Sequence, residues 1–358
     1  MRQLRVIAFT FIFLFLFACQ GFGGTIVSEK LLRHAGLETV WQSPLALNEG
    51  ESVQEIWPIE EHLYVLTSSN YVFCIEKDTG DLLFSFAAAR TSLPVLKPTV
   101  YENKAYIIGG NDLIIVDLKS GSKLYRGRID FPVSASPGAN GSYLYIAGMD
   151  KRLRAMDLQG KSAVFKASAD NVSGITSVLA TESNVFFSTD AGNVICMSPD
   201  EPKRYWQFDA VGGITAPVVV KNGGLYASSR DTNIYKINAS NGSKIWKFYA
   251  GSVLVDSPRV TKTTVYQFAE RKGVYAIGAD EGNLLWQLPT GVDLLAEDDG
   301  KAYVLDERGM CVVMDNKTGK KVSSLNFLNV TKSGANTADS RIFVMNGKNL
   351  IACIRPID

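Results

Sequence analysis

The sequence has few of the residues from which most catalytic sites are built. Its 358 residues include only two histidines, His34 and His62, which argues against a histidine-bound metal or a Ser-His-Asp triad. It contains no G-x-S-x-G elbow, no Walker loop and no strand-linked G-x-G-x-x-G motif. Acidic pairs such as Glu60 and Glu61 fall in predicted hairpin turns, where solvated charge is ordinary. The sequence therefore predicts no catalysis and no metal site.

The chain also lacks an excess of one charge and any long amphipathic segment. It carries 37 basic and 36 acidic residues without a basic run, so there is no electrostatic case for nucleic acid binding. Beyond the first thirty or so residues, no long segment shows apolar residues at the spacing of a helix. We therefore expect little helix.

What the chain does have is a repeat of about forty residues. A period of this length, with β-type residues between turns, is typical of a propeller blade, which cannot bury both of its faces alone. The clearest sign is a column of aromatic residues at steps of 42, 39, 41, 40, 40, 37 and 40, namely Tyr64, Tyr106, Tyr145, Phe186, Tyr226, Tyr266, Tyr303 and Phe343.

Three further columns follow the first one through the repeats. An apolar residue comes about eight positions later, and a turn glycine follows at most repeats, where positive φ costs a glycine nothing. The turn residues are Gly80, Gly121, Gly160, Gly242, Gly282 and Gly319, with Pro202 in the place of one. A large aromatic then follows the turn, at Phe84, Tyr125, Phe165, Trp206, Trp246 and Trp286, and Ser323 interrupts this column.

The eighth repeat is too short to contain its last strand. The chain ends at Asp358, whereas residues 37–43, with Trp41, read as a lone strand near the start. Pairing these two ends in one blade would remove free sheet edges. The sequence thus predicts an all-β fold, an eight-bladed β-propeller of four-stranded antiparallel blades, as a single domain over residues 37–358. The N-terminal strand is expected to close the last blade.

The cysteines downstream of this start look structural. Cys74, Cys196 and Cys353 share one repeat position, where a small buried side chain is required, and Cys311 occupies the apolar column. Equivalent positions in different blades lie too far apart for a disulfide. Free buried thiols are therefore expected.

The N-terminus predicts export. Residues 1–5 contain two arginines, and residues 6–18 form an apolar run that fits a signal peptide and is too short to span a membrane. The run ends at Cys19 in a sequence that resembles a bacterial lipobox, so residues 1–18 are predicted as a lipoprotein signal peptide and Cys19 as the lipidation site. Ordinary secretion is the alternative. Gln20 favours the outer membrane, and residues 19–36 are predicted as a tether, with part of residues 26–34 helical.

The hairpin from Tyr275 to Trp286, which is repeated at residues 234–246 and 73–84, resembles the repeat of pyrroloquinoline-quinone (PQQ) propellers. A lipobox followed by eight such repeats resembles the BamB family of outer-membrane assembly factors. The resemblance implies a non-catalytic scaffold that docks on a β-barrel insertase. The family's docking loops carry an arginine and paired acids, whereas the corresponding residues 171–173 and 212–214 are uncharged here.

Two other functions remain open. Quinoprotein dehydrogenases share the repeat, but they are much longer and hold PQQ and Ca²⁺ with adjacent cysteines and carboxylates, and this chain has no Cys-Cys pair. No cofactor is therefore expected. A general envelope propeller could instead bind a peptide or a glycan through its inter-blade loops. The charged members of the predicted loops, including the loop assigned to residues 332–337, are Arg90, Lys97, Asp130, Asp170, Asp256 and Lys332.

Overall fold

The computed structural model describes residues 25–357. These residues form one short helix and eight four-stranded antiparallel sheets, which are the blades of a closed propeller. The predicted fold class and blade number are confirmed. The short strands, separated by turns rich in glycine, asparagine and aspartate, follow from the forty-residue repeat.

The first half of the chain contains the helix, the closing strand and four blades. The helix α1 is Glu29–His34, and β1 is Leu37–Pro44. Blade 1 is β2 (Val53–Ile59), β3 (His62–Thr67), β4 (Tyr71–Glu76) and β5 (Leu82–Ala87). Blade 2 is β6 (Thr99–Tyr101), β7 (Lys104–Gly109), β8 (Asp112–Asp117) and β9 (Lys123–Arg128). Blade 3 is β10 (Gly138–Ala139), β11 (Leu144–Ala147), β12 (Leu153–Met156) and β13 (Ala163–Ala167). Blade 4 is β14 (Ile175–Ala180), β15 (Val185–Thr189), β16 (Asn193–Met197) and β17 (Arg204–Asp209).

The second half contains the other four blades. Blade 5 is β18 (Val219–Lys221), β19 (Gly224–Ser228), β20 (Asn233–Asn238) and β21 (Lys244–Tyr249). Blade 6 is β22 (Arg259–Val260), β23 (Thr264–Ala269), β24 (Gly273–Gly278) and β25 (Leu284–Leu288). Blade 7 is β26 (Gly291–Asp298), β27 (Lys301–Asp306), β28 (Met310–Asp315) and β29 (Lys321–Asn326). Blade 8 is β30 (Val330–Gly334), β31 (Ile342–Asn346) and β32 (Leu350–Pro356), together with β1.

The N-terminal strand closes the ring as predicted. The order in blade 8 is β1-β32-β31-β30, so β1 is the outermost strand of the last blade. It pairs antiparallel with β32, and its register places Trp41 opposite Cys353 and Pro44 opposite Leu350. The two ends of the described chain are therefore held together by a β-ladder.

The first aromatic column forms the contacts between blades. Its eight members lie on the second strands of their blades, and none is more than 4% exposed. Each contributes to an apolar cluster that contains residues of its own blade and of a neighbour. Because a buried aromatic side chain removes roughly 150–250 Å² from water, this column supplies much of the cohesion between blades.

The tryptophans of the second aromatic column, and Trp41 in β1, join their blades to the turn of the next one. The indole N–H of Trp206 donates to the backbone oxygen of Ala239 at 3.1 Å, across the junction from blade 4 to blade 5. Its ring lies against Gly242, which has φ +74°, and a Cβ on that glycine would come within 2.7 Å of the ring. Trp41 makes the same contact with blade 1, through a 2.8 Å bond to the Lys77 oxygen. The tryptophans therefore pack between blades, as predicted.

The four cysteines within the described residues are buried and free, which confirms their predicted structural role. Burial raises the pKa of the Cys74, Cys196 and Cys353 thiols to about 12 in each case. Cys19 and the predicted signal peptide lie outside the described residues.

The segment before β1 packs on the ring. Part of it is helical, as expected, and Ile26, Val27 and Leu32 are at most 5% exposed, within the apolar cluster formed by blades 7 and 8. The proposed tether would therefore end before Ile26. No helix of residues 25–357 is both long and apolar enough to cross a membrane.

Candidate binding channel

The predicted contact residues separate into two groups. Arg90, Asp130 and Asp170 are exposed on connections between blades. Lys97, Asp256 and Lys332 instead line a common cavity of about 1200 Å³ on the propeller axis, which we call the channel. The structure thus brings three of the six candidates to one cavity.

The position of Lys332 corrects one sequence interpretation. The predicted inter-blade loop at residues 332–337 is wrong, because Lys332 lies within β30, the innermost strand of blade 8. The innermost strands face the solvent of the channel, so Thr331, Lys332 and Ser333 are polar although they belong to a strand. A run of polar residues at this position therefore resembles a loop in the sequence.

Arg259 is the central charge of the channel wall. It forms two hydrogen bonds with Asp293, at 3.0 Å from Nε to Oδ1 and at 3.0 Å from Nη2 to Oδ2. Burial opposes the charge of Arg259, but Asp293, Asp256 and Glu55 outweigh it and raise the pKa of Arg259. Sequence reasoning missed Arg259 and Asp293, since neither belongs to a repeat column.

The surroundings of Lys97 and Asp256 in the channel disfavour the charged form of each side chain. Lys97 keeps contact with solvent, yet the surrounding walls desolvate its ammonium group and Arg259 repels it, and both effects lower the pKa of Lys97. Burial, together with repulsion from Asp293, raises the pKa of Asp256 against the attraction of Arg259. Neither side chain forms an ion pair within residues 25–357. The channel therefore offers a ligand one basic and one acidic side chain that have no ion-pair partner among the described residues.

One end of the channel is covered by the connection between β30 and β31, residues 335–341. The Asn336 backbone N–H donates to the Leu295 oxygen of blade 7 at 3.0 Å. The ammonium of Lys221, in blade 5, donates to the Thr337 oxygen at 2.9 Å. Asp339 accepts a 2.9 Å bond from Lys77 of blade 1. Because residues 335–341 reach blades 1, 5 and 7 from blade 8, they lie across this end of the channel.

The channel does not fit the quinone cofactor that this type of repeat suggests. The four described cysteines are buried within the blades rather than in the channel wall. The carboxylate of Asp293 is already engaged by Arg259. Within residues 25–357, no group of three or more His, Cys, Asp or Glu side chains could hold a metal ion.

Comparisons with known proteins agree with this architecture. The repeat and the ring define an eight-bladed β-propeller of PQQ-like repeats. The family model described as outer membrane protein assembly factor BamB matches residues 40–208 and 197–354, and the chain belongs to this family. No curated protein matches the sequence.

Two solved structures share the fold. One is the crystal structure of BamB from Moraxella catarrhalis, which is 14% identical in sequence and superposes with a TM-score of 0.67. The alignment covers 89% of this chain and 97% of the Moraxella chain. The other is the crystal structure of the computationally designed Ika8 protein, which is 13% identical in sequence and superposes with a TM-score of 0.66. The alignment covers 87% of this chain and 98% of the Ika8 chain. At these identities the likeness shows the fold alone.

Proposed function

We propose that the protein is a non-catalytic scaffold lipoprotein of a bacterial envelope, which assists the assembly of outer-membrane β-barrel proteins through protein–protein contacts. The observation that carries the proposal is the family match, which spans both halves of the ring. A closed ring of rigid blades suits this role, because it presents many loops in fixed positions.

The docking surface is best sought on the side of the ring that carries the connections between blades, which we call the loop face. Exposed aliphatic side chains occur there on three successive connections, and such a patch is typical of an interaction site. The most prominent is Val211, which is 93% exposed between blades 4 and 5, and the others are Val172, Val253 and Val255.

A second candidate function is the binding of another envelope ligand, such as a peptide or a glycan. Two observations favour it. The connections at residues 171–173 and 212–214 carry none of the charges expected at the family's docking loops. The channel, in contrast, holds the unpaired charges of Lys97 and Asp256 in a cavity that is closed at one end.

Site-specific crosslinking in native membranes separates the two functions. A photo-crosslinking residue at position 211 should capture a β-barrel insertase, whereas the same residue at Asn222, which is exposed at the opposite end of the blades, should not. Capture of a different stable partner at position 211 would support the second function. Equal capture at both positions, or no insertase at position 211, would contradict the assembly role.

The lipid anchor is tested separately. We expect Cys19→Ser to abolish incorporation of a labelled fatty acid, because a lipobox cysteine is the only attachment point that the sequence suggests. Several acyl chains at about 0.8 kcal/mol per buried CH₂ would hold the protein firmly on a membrane. The control is Cys74→Ser, a change at a buried cysteine that should leave the label in place. Label that persists in Cys19→Ser would contradict lipidation.

A further inference from the structure

A cleft of about 470 Å³ opens on the outer wall of the ring between blades 3 and 4, and we call it the blade 3–4 cleft. Its floor is apolar and consists of Phe187, Ile195 and Met197, which belong to blade 4. One wall is the end of β13, with Ala167. The cleft is separate from the channel and from the aliphatic residues of the loop face.

The cleft exists because one side chain of the repeat is missing. The residue two positions after the outer aromatic is large in most sister blades, and it fills the space against the next blade. Phe208 packs on Tyr235 with ring centroids 5.1 Å apart, and Phe248 packs on Tyr275 at 5.4 Å. The corresponding residues in this part of the ring are the smaller Ala167 and Ile195.

A second junction supports the same cause. Ser43 takes the equivalent position in the outermost strand of blade 8, two residues after Trp41. It also lines a cleft, of about 280 Å³, against blade 1. Ala167 and Ser43 thus accompany open junctions and Phe208 and Phe248 accompany filled ones, whereas in blade 2 the Tyr125 side chain occupies the space beside Gly127.

The rim of the blade 3–4 cleft is cationic. Arg152, Lys166 and Arg204 line it, against a single carboxylate, Asp170. Asp170 is paired with Arg204. Arg152 and Lys166 form no ion pair within the described part of the chain, so both basic groups of the rim are open to an acidic ligand. A ligand with acidic groups would complement them.

We propose that the blade 3–4 cleft binds an aromatic side chain from an extended acidic segment of a partner protein. The ring of the partner would take the place of the phenyl group that the repeat lacks at Ala167, on a floor of the kind that holds phenylalanine elsewhere in the propeller. Acidic residues on either side would meet Arg152 and Lys166. β13 is the outermost strand of blade 3, so its free edge offers backbone groups with which an extended segment can pair.

This inference goes beyond the proposed function, because it concerns a peptide chemistry and a part of the surface that the assembly role does not require. Its test uses purified protein and is therefore independent of membrane crosslinking. The probe is a short fluorescein-labelled peptide with a central Glu-Phe-Asp, and its binding is followed by fluorescence anisotropy. Peptides with Glu-Ala-Asp or Lys-Phe-Lys at the centre are the controls.

The decisive variant is Ala167→Phe, which restores the residue type found at Phe86, Phe208 and Phe248. It should fill the cleft without loss of thermal stability and weaken peptide binding about tenfold or more, since it removes the site of a buried aromatic ring. Ser43→Phe fills the other cleft and should leave binding unchanged. Lys166→Glu should weaken binding several-fold at low salt and less at high salt.

The result expected is binding of the Glu-Phe-Asp peptide above both control peptides, weakened about tenfold or more in Ala167→Phe and unchanged in Ser43→Phe. Three results would overturn the proposal. The first is the absence of any binding of the Glu-Phe-Asp peptide. The second is equal binding of the Glu-Ala-Asp peptide. The third is unchanged affinity in an Ala167→Phe protein that melts normally.

Discussion

Trp41→Ala should destabilise the propeller by about 2–3 kcal/mol, less than truncation of a fully buried Trp costs, because Trp41 is only partly buried. Trp41 joins the N-terminal strand to the rest of blade 8 and to blade 1. It belongs to β1, its ring lies 6.3 Å from that of Phe343 in blade 8, and it packs on Gly80 in blade 1. Its indole N–H also donates to the Lys77 oxygen at 2.8 Å. The substitution therefore weakens the junction at which the two ends of the ring meet.

The effect can be measured by denaturant unfolding and by melting, where we expect a decrease of about 5 °C or more. Val40→Ala is the matched control, because Val40 precedes Trp41 in β1 but is 39% exposed. It should change stability by less than about 0.5 kcal/mol. Equal stability of Trp41→Ala and Val40→Ala would show that closure depends on the β1–β32 ladder alone.

The ring could be predicted from the sequence because each repeat of about forty residues encodes one blade through local features. The aromatic column and the turn glycines specify a strand, a hairpin and a contact with the neighbouring blade, and each of these is local. The closing strand was also predictable, because the last repeat is too short and a lone strand with Trp41 stands at the start. Pairing of Trp41 opposite Cys353 confirms it.

The candidate site was only partly predictable, because it depends on contacts between distant repeats. Lys97 and Asp256 were identified as charged residues between blades, but nothing in their neighbourhood in sequence indicates that both face one channel with Arg259. The contact of Lys221 with Thr337 joins residues 116 positions apart. The blade 3–4 cleft is different. In the aligned repeats, Ala167 stands at a position that phenylalanine occupies in three other blades, as Phe86, Phe208 and Phe248. This difference is visible in the sequence, but its meaning is clear only once the structure shows that the position lies at the junction with the next blade.

Asp339→Ala should cost about 2 kcal/mol, because it leaves a buried ammonium group without its counter-charge, although the side chain of Asp339 is itself 37% exposed. Lys77 is only 2% exposed, and its ammonium donates to the Asp339 carboxylate at 2.9 Å and to the Glu60 backbone oxygen at 2.9 Å. This ion pair holds residues 335–341, which lie across the end of the channel, against blade 1. The substitution should therefore also loosen that connection.

A double-mutant cycle tests the cause. Lys77→Met removes the buried charge, so the protein with Lys77→Met and Asp339→Ala together should be more stable than the one with Asp339→Ala alone. Asp78→Ala is the control for a neighbouring ion pair. Asp78 pairs with Arg341, but its side chain is 65% exposed, and the loss should be below about 1 kcal/mol. A similar loss for Asp78→Ala and Asp339→Ala would contradict the role of burial.

The pH dependence gives an independent check on the same carboxylate. Burial alone would raise the pKa of Asp339, but the hydrogen bonds from Lys77 and from the Arg341 backbone outweigh it and lower that pKa. A carboxyl whose pKa is lower in the folded protein stabilises the fold above its unfolded pKa, which is about 4, and this stabilisation is lost as the pH falls through the folded value. The advantage of the wild-type protein over Asp339→Ala should thus be full near neutral pH and shrink below about pH 4. An advantage that stays constant down to the acid transition would show that Asp339 acts through packing rather than through its charge.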